Sequence, residues 1–298
     1  MGVKKSLPEL RKAIDKIDGE LLIRFNQRAE LAKEVATVKI AAGETSDFYR
    51  PDREASVLRG VMESNPGPLK GDDIARLYRE LMSSCLALEK PLTVAYLGPA
   101  GTFTQEAALK HFGHAVNTLE TVTITDIFHQ VENGAAHYGV VPVENSTEGV
   151  ISHTLDTFIK SSLFICGEVE LRIHHYLLST LDKVDDIKII YSHQQSLGQC
   201  RQWLAQHLPG VEIKAVNSNA EAARLASEQA NSAAIAGEIA AEIYQLNRLA
   251  SHIEDESHNT TRFLVIGQQQ VPPSGLDKTS IMVSTKNIAG ALQSVLAP

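Results

Sequence analysis

A hydroxyl and a guanidinium stand directly before an apolar run late in the chain. Thr261 and Arg262 belong to residues 259–263, and residues 264–267 behind them have the composition of a buried strand. The mouth of a strand is a common place for ligands to bind in α/β domains. The alternative is a polar turn that only caps a core strand, so the choice depends on what else the chain brings to this place.

Cations interrupt an apolar face near the N-terminus. Apolar residues recur there in steps of three and four, at Leu10, Ile14, Ile17, Leu21, Leu31, Val35 and Val38. Arg24 and Arg28 fill positions on the same face, where leucine would be more stable. Because a buried unpaired cation is costly, an anion should meet them. That anion is either a ligand or a glutamate on a neighbouring helix.

Two further cations can be placed relative to Arg28 by helix geometry. Lys39 lies about 20° away around a helix of 100° per residue, so it faces the same way. Arg11 points about 100° off that face. If Arg11 joins the same site, it therefore comes from a partner helix.

The cations need a long helix to carry them. Ser6 and Glu9 form a capping box, and Gly43 is a plausible stop, which predicts about 36 helical residues and a length of roughly 54 Å. A helix this long cannot bury its apolar face within 90 residues, so we expect a second copy of the chain to cover it. Pro51 opens a second helix, and Asp72 or Asp73 opens a third.

Composition narrows the class of protein. The chain has 298 residues, which favours two or three domains. Its net charge of −8 argues against a nucleic-acid surface. The sequence has neither a signal peptide nor an apolar run long enough to cross a membrane. The three cysteines are widely spaced, which predicts reduced thiols in a cytoplasmic protein.

The charge is unevenly distributed and marks a boundary. Residues 1–90 hold 16 Lys and Arg against 15 Asp and Glu, a net of +1. Residues 91–298 hold 12 against 21, a net of −9, and the two parts sum to −8. The break near residue 90 predicts a domain boundary.

Beyond residue 90, short apolar strands alternate with helices. Strands are predicted at residues 93–97, 138–143, 163–168, 187–191, 211–216, 233–236 and 263–266. Helices are predicted to begin near Thr104, Thr125, Ile151, Ser196, Ala220 and Gly237. This alternation predicts an α/β domain with mostly parallel sheets. Polar clusters follow strand ends at residues 98–103, 144–149, 192–195 and 259–263.

These clusters match none of several common cofactor-binding or catalytic motifs. The glycine-rich one fits neither a dinucleotide fingerprint nor a P-loop. The histidines lack ligand spacing for zinc and are interpreted as surface or structural, and there is no G-x-S-x-G elbow. The sequence therefore predicts no metal and no cofactor.

The three-helix plan resembles the all-helical chorismate mutases, which are intertwined dimers. The resemblance rests on residues 10–12, 28–32, 39, 49–54 and 83–89. It implies an active site made of Arg11 from the other subunit together with Arg28, Lys39, Arg53, Glu54 and Glu89. Cations suit this chemistry, because they can hold the two carboxylates of chorismate and stabilise the negative charge that grows on its ether oxygen. Lys39 is the expected donor to that oxygen, and a protonated Glu89 is a second.

The polar clusters of the second part together resemble prephenate dehydratase, over nearly all of residues 93–267. The matching motifs are residues 96–103, 141–146, 191–195 with 199–200, and 259–263. The resemblance implies two α/β lobes like those of a periplasmic binding protein, with the active site in the cleft and the second lobe at about residues 170–250. It makes Thr261 the essential threonine, which assists the departing hydroxyl of prephenate.

A threonine hydroxyl is a poor acid, so Thr261 needs an activating neighbour. Glu144 is predicted to be that neighbour, or the acid itself. Arg262 is either a clamp for a carboxylate or part of a structural ion pair. Asn145, Ser192 and Gln199 are expected to supply neutral contacts to the substrate.

The last residues are interpreted as a linker at 268–278 and the start of a truncated ACT domain at 279–298. A strand is expected at residues 279–284 and a helix from Ala289. The motif that such modules use later is absent, so phenylalanine regulation is doubtful.

We therefore interpret the chain as resembling the bifunctional chorismate mutase and prephenate dehydratase enzymes of phenylalanine biosynthesis. The expected units are the mutase at residues 1–90 and the dehydratase at 91–267. The substrates would be chorismate and prephenate, and the enzyme would be a homodimer through its N-terminal helices. The alternatives are an enzyme that keeps one of the activities, and a solute-binding module on a helical dimerisation stalk.

Overall fold

The chain begins with three helices. The computed structural model describes residues 5–43, 49–147 and 149–297. The helices are α1 (Leu7–Ala41), α2 (Pro51–Glu63) and α3 (Gly71–Glu89). The predicted start of α1 is confirmed, because the Ser6 backbone N–H donates to Glu9 Oε2 at 2.7 Å. Its predicted end is confirmed as well, since Gly43 follows the C-cap with φ of +79°.

The long first helix packs on α3 and leaves most of its surface exposed. It has 35 residues, so it extends for roughly 52 Å. Among the described residues of α1, Ala36 is the buried one. The apolar residues Leu10, Ile14, Ile17 and Leu21 are between 44% and 56% exposed. A single copy of the chain thus leaves the predicted apolar face uncovered.

The rest of the chain alternates strands and helices. In order, they are β1 (Thr93–Leu97), α4 (Phe103–Phe112), β2 (Asn117–Thr121), α5 (Ile124–Glu132), β3 (Tyr138–Asn145), β4 (Gly149–Val150), α6 (Ser152–Phe158), β5 (Phe164–Arg172), β6 (Tyr176–Ser179), β7 (Ile189–His193), α7 (Gln194–Gln199), α8 (Arg201–His207), β8 (Glu212–Val216), α9 (Asn219–Glu228), β9 (Ser232–Ala236), α10 (Glu238–Ile243), β10 (Asn247–Ser251), β11 (Thr260–Gly267) and α11 (Ala291–Leu296). The seven strands predicted within residues 93–266 are all present, whereas β2, β4, β6 and β10 were not predicted.

These strands form two sheets, one in each lobe. The first has the order β2-β1-β3-β11-β5, with β4 on β3, and the second has the order β10-β6-β9-β7-β8. The prediction of mostly parallel sheets is wrong, because β11 is antiparallel to both of its neighbours and β6 is antiparallel to β9 and β10. The chain leaves the first lobe after β5 and returns as β11, so it crosses between the lobes near residues 173–175 and 252–259.

Two expectations at strand boundaries also need correction. Thr261 and Arg262 were expected to stand just before the strand at residues 263–266, but β11 already begins at Thr260. The strand expected at residues 279–284 is absent, although all of these residues are described. The helix expected beyond it is present as α11, while Pro298 lies outside the described residues. Within the described chain, no helix has the length and apolar character needed to cross a membrane.

One residue of the helical part enters the core of the first lobe. Tyr49, which directly precedes the N-cap of α2, is 5% exposed and belongs to the cluster that fills one face of the first sheet. Its ring centre lies 5.3 Å from those of Phe112 and Tyr138, and its hydroxyl lies 3.3 Å from Nε2 of His111. The beginning of α2 is therefore fixed by the α/β part.

Two candidate active sites

The helical site is formed by α1 and α3. Burial raises the pKa of Glu89 above its ordinary value, while the nearby charges of Lys39 and Arg28 act in the opposite direction. All three side chains are partly buried. The structure therefore brings together three residues that the sequence singled out from two different helices. This group presents two cations and one carboxyl that burial keeps closer to its neutral form.

The other expected residues of this site lie apart from that group. Arg11 and Arg53 are exposed. Glu54 lies 3.7 Å from Nε of Arg79, and burial raises the pKa of Glu54 to about 7. Among the described residues, Glu54 lines a cavity of about 570 Å³ whose walls include His111, Cys166 and Glu168 but none of Arg28, Lys39 and Glu89. In a single chain, Glu54 thus faces the α/β part.

The second site is built on the paired ends of β3 and β11. Thr261 stands opposite Asn145 in the antiparallel register, and they are 8% and 9% exposed. The Asn145 side-chain amide donates to Thr261 Oγ1 at 2.7 Å and to Asn259 Oδ1 at 3.2 Å. The Asn145 side-chain oxygen Oδ1 accepts from the Thr147 backbone N–H at 2.9 Å. The orientation of the amide is therefore fixed on both sides, and one of its hydrogens points at the threonine oxygen.

The neighbouring register pair holds an ion pair. Arg262 stands opposite Glu144, and its guanidinium donates to Glu144 at 2.9 Å and to Glu168 on β5 at 3.2 Å. Successive side chains on a strand point to opposite faces. Glu144 and Arg262 therefore lie on the face away from Thr261 and Asn145. This geometry contradicts the prediction that Glu144 activates Thr261, and it favours the structural alternative for Arg262.

Gln199 and Ser192 have different surroundings. Gln199, at the end of α7, lines a cavity of about 470 Å³ between the lobes, whose walls also include Thr147 and Asn259. Ser192 is fully buried in the second lobe, where its hydroxyl lies 2.8 Å from the Ile235 carbonyl oxygen. The predicted substrate contact of Ser192 is therefore not supported, because its hydroxyl joins β7 to β9.

The sequence did not single out two polar neighbours of this cavity. Asn259 accepts from Asn145, and His175 contacts Gln199, yet neither was among the predicted site residues. Asn259 had a usable signal, since it begins the motif that contains Thr261. His175 had none beyond its type. Among the described residues, no group of three or more His, Cys, Asp or Glu could hold a metal ion.

Both halves of the chain match known families. A model of chorismate mutase type II matches residues 10–90, and a model of prephenate dehydratase matches residues 94–271. The bifunctional chorismate mutase/prephenate dehydratase of Pseudomonas aeruginosa is 55% identical, covering 100% of this chain and 83% of that protein. The protein with the same description from Stutzerimonas stutzeri is 56% identical with the same coverage. The crystal structure of a prephenate dehydratase from Arthrobacter aurescens in complex with L-Phe is 29% identical with a TM-score of 0.61, covering 69% of this chain and 71% of that one.

Proposed function

Because the chain belongs to the bifunctional chorismate mutase/prephenate dehydratase family, we propose that the helical group performs the mutase reaction and the cavity between the lobes performs the dehydratase reaction. The chain is an enzyme of phenylalanine biosynthesis with both activities. We assign the mutase to residues 1–90 and the dehydratase to 91–267, with 268–278 as a linker. The start of an ACT-like module at 279–298 now rests only on α11.

In the mutase, Arg28 and Lys39 bind the carboxylates of chorismate and place its reacting carbons in contact. The rearrangement breaks the ether C–O bond and forms a C–C bond within one molecule, so it needs no nucleophile. Lys39 stabilises the negative charge that grows on the ether oxygen, and neutral Glu89 donates a second hydrogen bond. The observation that supports these roles is the proximity of Glu89, Lys39 and Arg28, all partly buried, on the packed helices α1 and α3.

A second copy of the chain completes this site. The exposed apolar face of α1 and its length of 35 residues both favour a partner helix along it. Arg11 of that partner then reaches the substrate. In the single chain Arg11 is exposed. We assign Glu54 no direct contact with the substrate, because it pairs with Arg79 on the side of α2 that faces the α/β part.

Mixed dimers test this arrangement. Arg11→Ala and Lys39→Ala chains, each inactive as a homodimer, are mixed after unfolding and refolding. If Arg11 crosses the interface, half of the sites in each heterodimer are intact, and a statistical mixture recovers about a quarter of the wild-type mutase activity. If both residues serve the same subunit, mixing recovers no activity.

In the dehydratase, Thr261 donates a hydrogen bond to the hydroxyl that leaves prephenate. The observation that carries this proposal is the hydrogen bond from Asn145 to Thr261 Oγ1. Because the threonine oxygen accepts there, its own hydrogen is directed elsewhere and is polarised by the accepted bond. Breaking the C–CO2 bond sends its electron pair into the ring, which becomes aromatic as the hydroxyl departs. The protein's main tasks are therefore orientation and support of the leaving oxygen.

The carboxylates of prephenate meet neutral donors in this cavity. The cavity wall contains the side-chain amides of Gln194, Gln195, Gln199, Gln202 and Asn259 and the carboxylates of Glu254, Asp255 and Glu256, and it contains no Lys or Arg among the described residues. Glu254 and Asp255 already accept backbone N–H groups, from His175 and from Gln202 and Trp203. Arg262, the cation within residues 259–263, is already paired with the carboxylates of Glu144 and Glu168. We therefore assign prephenate binding to amide N–H groups, with Gln199 as the principal contact.

Assaying both reactions on each variant tests whether the two activities use separate sites. Gln199→Ala and Thr261→Ala should impair the dehydratase and leave the mutase unchanged, whereas Lys39→Ala should do the reverse. A variant that lowers both activities equally without loss of folding would overturn the assignment of separate sites.

A cytoplasmic location is also proposed, on the support that Cys85, Cys166 and Cys200 are free and buried thiols.

A further inference from the structure

His175 is held firmly where the chain first crosses between the lobes. It is 1% exposed and lies between β5 and β6. Its backbone N–H donates to Glu254 Oε2 at 2.9 Å, and its carbonyl oxygen accepts from the Ile253 N–H at 3.0 Å. Its ring meets the Phe103 ring edge to face, with centres 5.7 Å apart. Both connections between the lobes thus fix the position of this imidazole.

The side chain of His175 makes its hydrogen bond to Gln199. Its Nε2 lies 2.8 Å from Gln199 Oε1. Burial lowers the pKa of His175, so the ring is neutral and carries one N–H. Because a carbonyl oxygen can only accept, that hydrogen is on Nε2. The bond therefore fixes the amide of Gln199 with its oxygen toward the histidine and its NH2 group away from it.

The NH2 group of Gln199 has no acceptor in the part of the chain that the structure describes. Its Nε2 is buried and has no hydrogen-bond partner among the described residues, while the residue itself lines the cavity between the lobes. A buried donor left unpaired is costly. An acceptor oxygen from a bound molecule would remove that cost, and a carboxylate is the strongest acceptor of this kind.

We propose that His175 is a positioning residue of the dehydratase, which orients the Gln199 amide so that its N–H groups meet a carboxylate of prephenate. This inference rests on the proposed substrate contact of Gln199. Without the histidine the amide can rotate by half a turn and present its oxygen, which would repel the same carboxylate. His175 then affects substrate binding without touching the substrate.

A double-mutant cycle tests the inference on the full-length enzyme. His175→Phe keeps the ring contact with Phe103 and removes the N–H. We expect KM for prephenate to rise about tenfold, which corresponds to one lost hydrogen bond of this kind, with kcat little changed and mutase activity unaffected. His175→Gln, which retains a donor, should recover most of the loss. In a Gln199→Ala background, His175→Phe should have no further effect on KM, because the group that it orients is gone.

The results distinguish the positioning role of His175 from the substrate contact of Gln199 on which it depends. If Gln199→Ala leaves KM unchanged, the proposed substrate contact is wrong, and the role of His175 is wrong with it. If Gln199→Ala raises KM while His175→Phe does not, or if the two effects add in the double variant, the contact stands and the positioning role is overturned. Thermal unfolding of each variant establishes that it is folded.

A second variant covers the case in which His175→Phe does not fold. Gln199→Glu places an acceptor on both ends of the side chain, so KM for prephenate should rise more than in Gln199→Ala. The new carboxylate should also raise the pKa of His175, which NMR titration of the imidazole measures. An unchanged imidazole pKa together with the KM of Gln199→Ala would overturn the inference.

Discussion

Chorismate and prephenate are dianions of similar size, but the two proposed sites bind them in different ways. In the helical group, the proposed binding relies on the charges of Arg28 and Lys39, which lie on a long, largely exposed helix. For the cavity between the lobes we propose binding through neutral amide donors, because Arg262, the cation of its motif, is paired with Glu144 and Glu168 on the other face of the sheet. The difference follows the chemistry. Negative charge grows on the ether oxygen in the mutase. The dehydratase instead loses one carboxylate of prephenate as CO2, and a cation bound to that carboxylate would stabilise the ground state against its loss.

Removing the threonine hydroxyl should have the largest effect. Thr261→Ala is expected to lower dehydratase kcat by about 10²–10⁴-fold, the range for loss of a positioned acid, with mutase activity intact. Thr260→Ala, one residue earlier on the same strand, is the matched control and should stay within a few-fold of wild type. A Thr261→Ala enzyme with normal kcat would show that neutral hydrogen bonding at this position does not assist the departing hydroxyl.

Removing the central cation should be nearly as severe for the other reaction. Lys39→Met keeps the length of the side chain and deletes its charge, and mutase kcat/KM should fall by about 10²–10³-fold. Lys33→Met, on the same helix and paired with Glu30, is the control. Equal losses in both variants would mean that the effect comes from the net charge of α1 and not from a site.

Salt should separate the two sites directly. Raising KCl from about 0.05 M to about 0.5 M shortens the screening length severalfold, so KM for chorismate should rise about three- to tenfold. KM for prephenate should change less than about twofold, since its proposed donors are neutral amides. The same salt dependence for both substrates would remove the distinction between charged and neutral binding.

The carboxyl of the helical group should make the mutase depend on pH. Burial raises the pKa of Glu89, and its donor form is the protonated one. Mutase kcat/KM should therefore fall as pH rises through that raised pKa, and Glu89→Gln should flatten the profile because an amide donates at every pH. A flat wild-type profile with an inactive Glu89→Gln enzyme would contradict this account.

The ion pair on the far face of the sheet should matter least. Glu144→Gln and Arg262→Met are expected to change dehydratase kcat by no more than a few-fold and to lower stability by about 1 kcal/mol, as for other partly exposed pairs. Chemical denaturation measures the stability. A loss of kcat as large as that of Thr261→Ala would return Glu144 to the catalytic group.

The sequence predicted elements and motifs better than it predicted which way side chains face. Capping residues and the apolar period placed α1 almost to the residue, because both signals are local. Whether Glu144 or Asn145 meets Thr261 depends on where β11 begins and how it registers on β3, over 100 residues away in the chain, and no local pattern specifies that. Ser192 is similar, since its hydroxyl binds a carbonyl on β9. Residues 279–284 have strand composition, but a strand without a partner is not stable.

Tyr49 has a consequence for any attempt to divide this polypeptide. Its ring comes from the mutase half of the sequence, yet it is packed among Phe112, Tyr138 and the strands of the dehydratase. A dehydratase fragment that begins at residue 91 would carry a hole the size of an aromatic side chain, at a cost of about 3–5 kcal/mol if the core does not collapse. A mutase fragment that ends at residue 90 would expose that ring to water. The two parts of the chain thus share a piece of interior, and no cut between them leaves both parts intact.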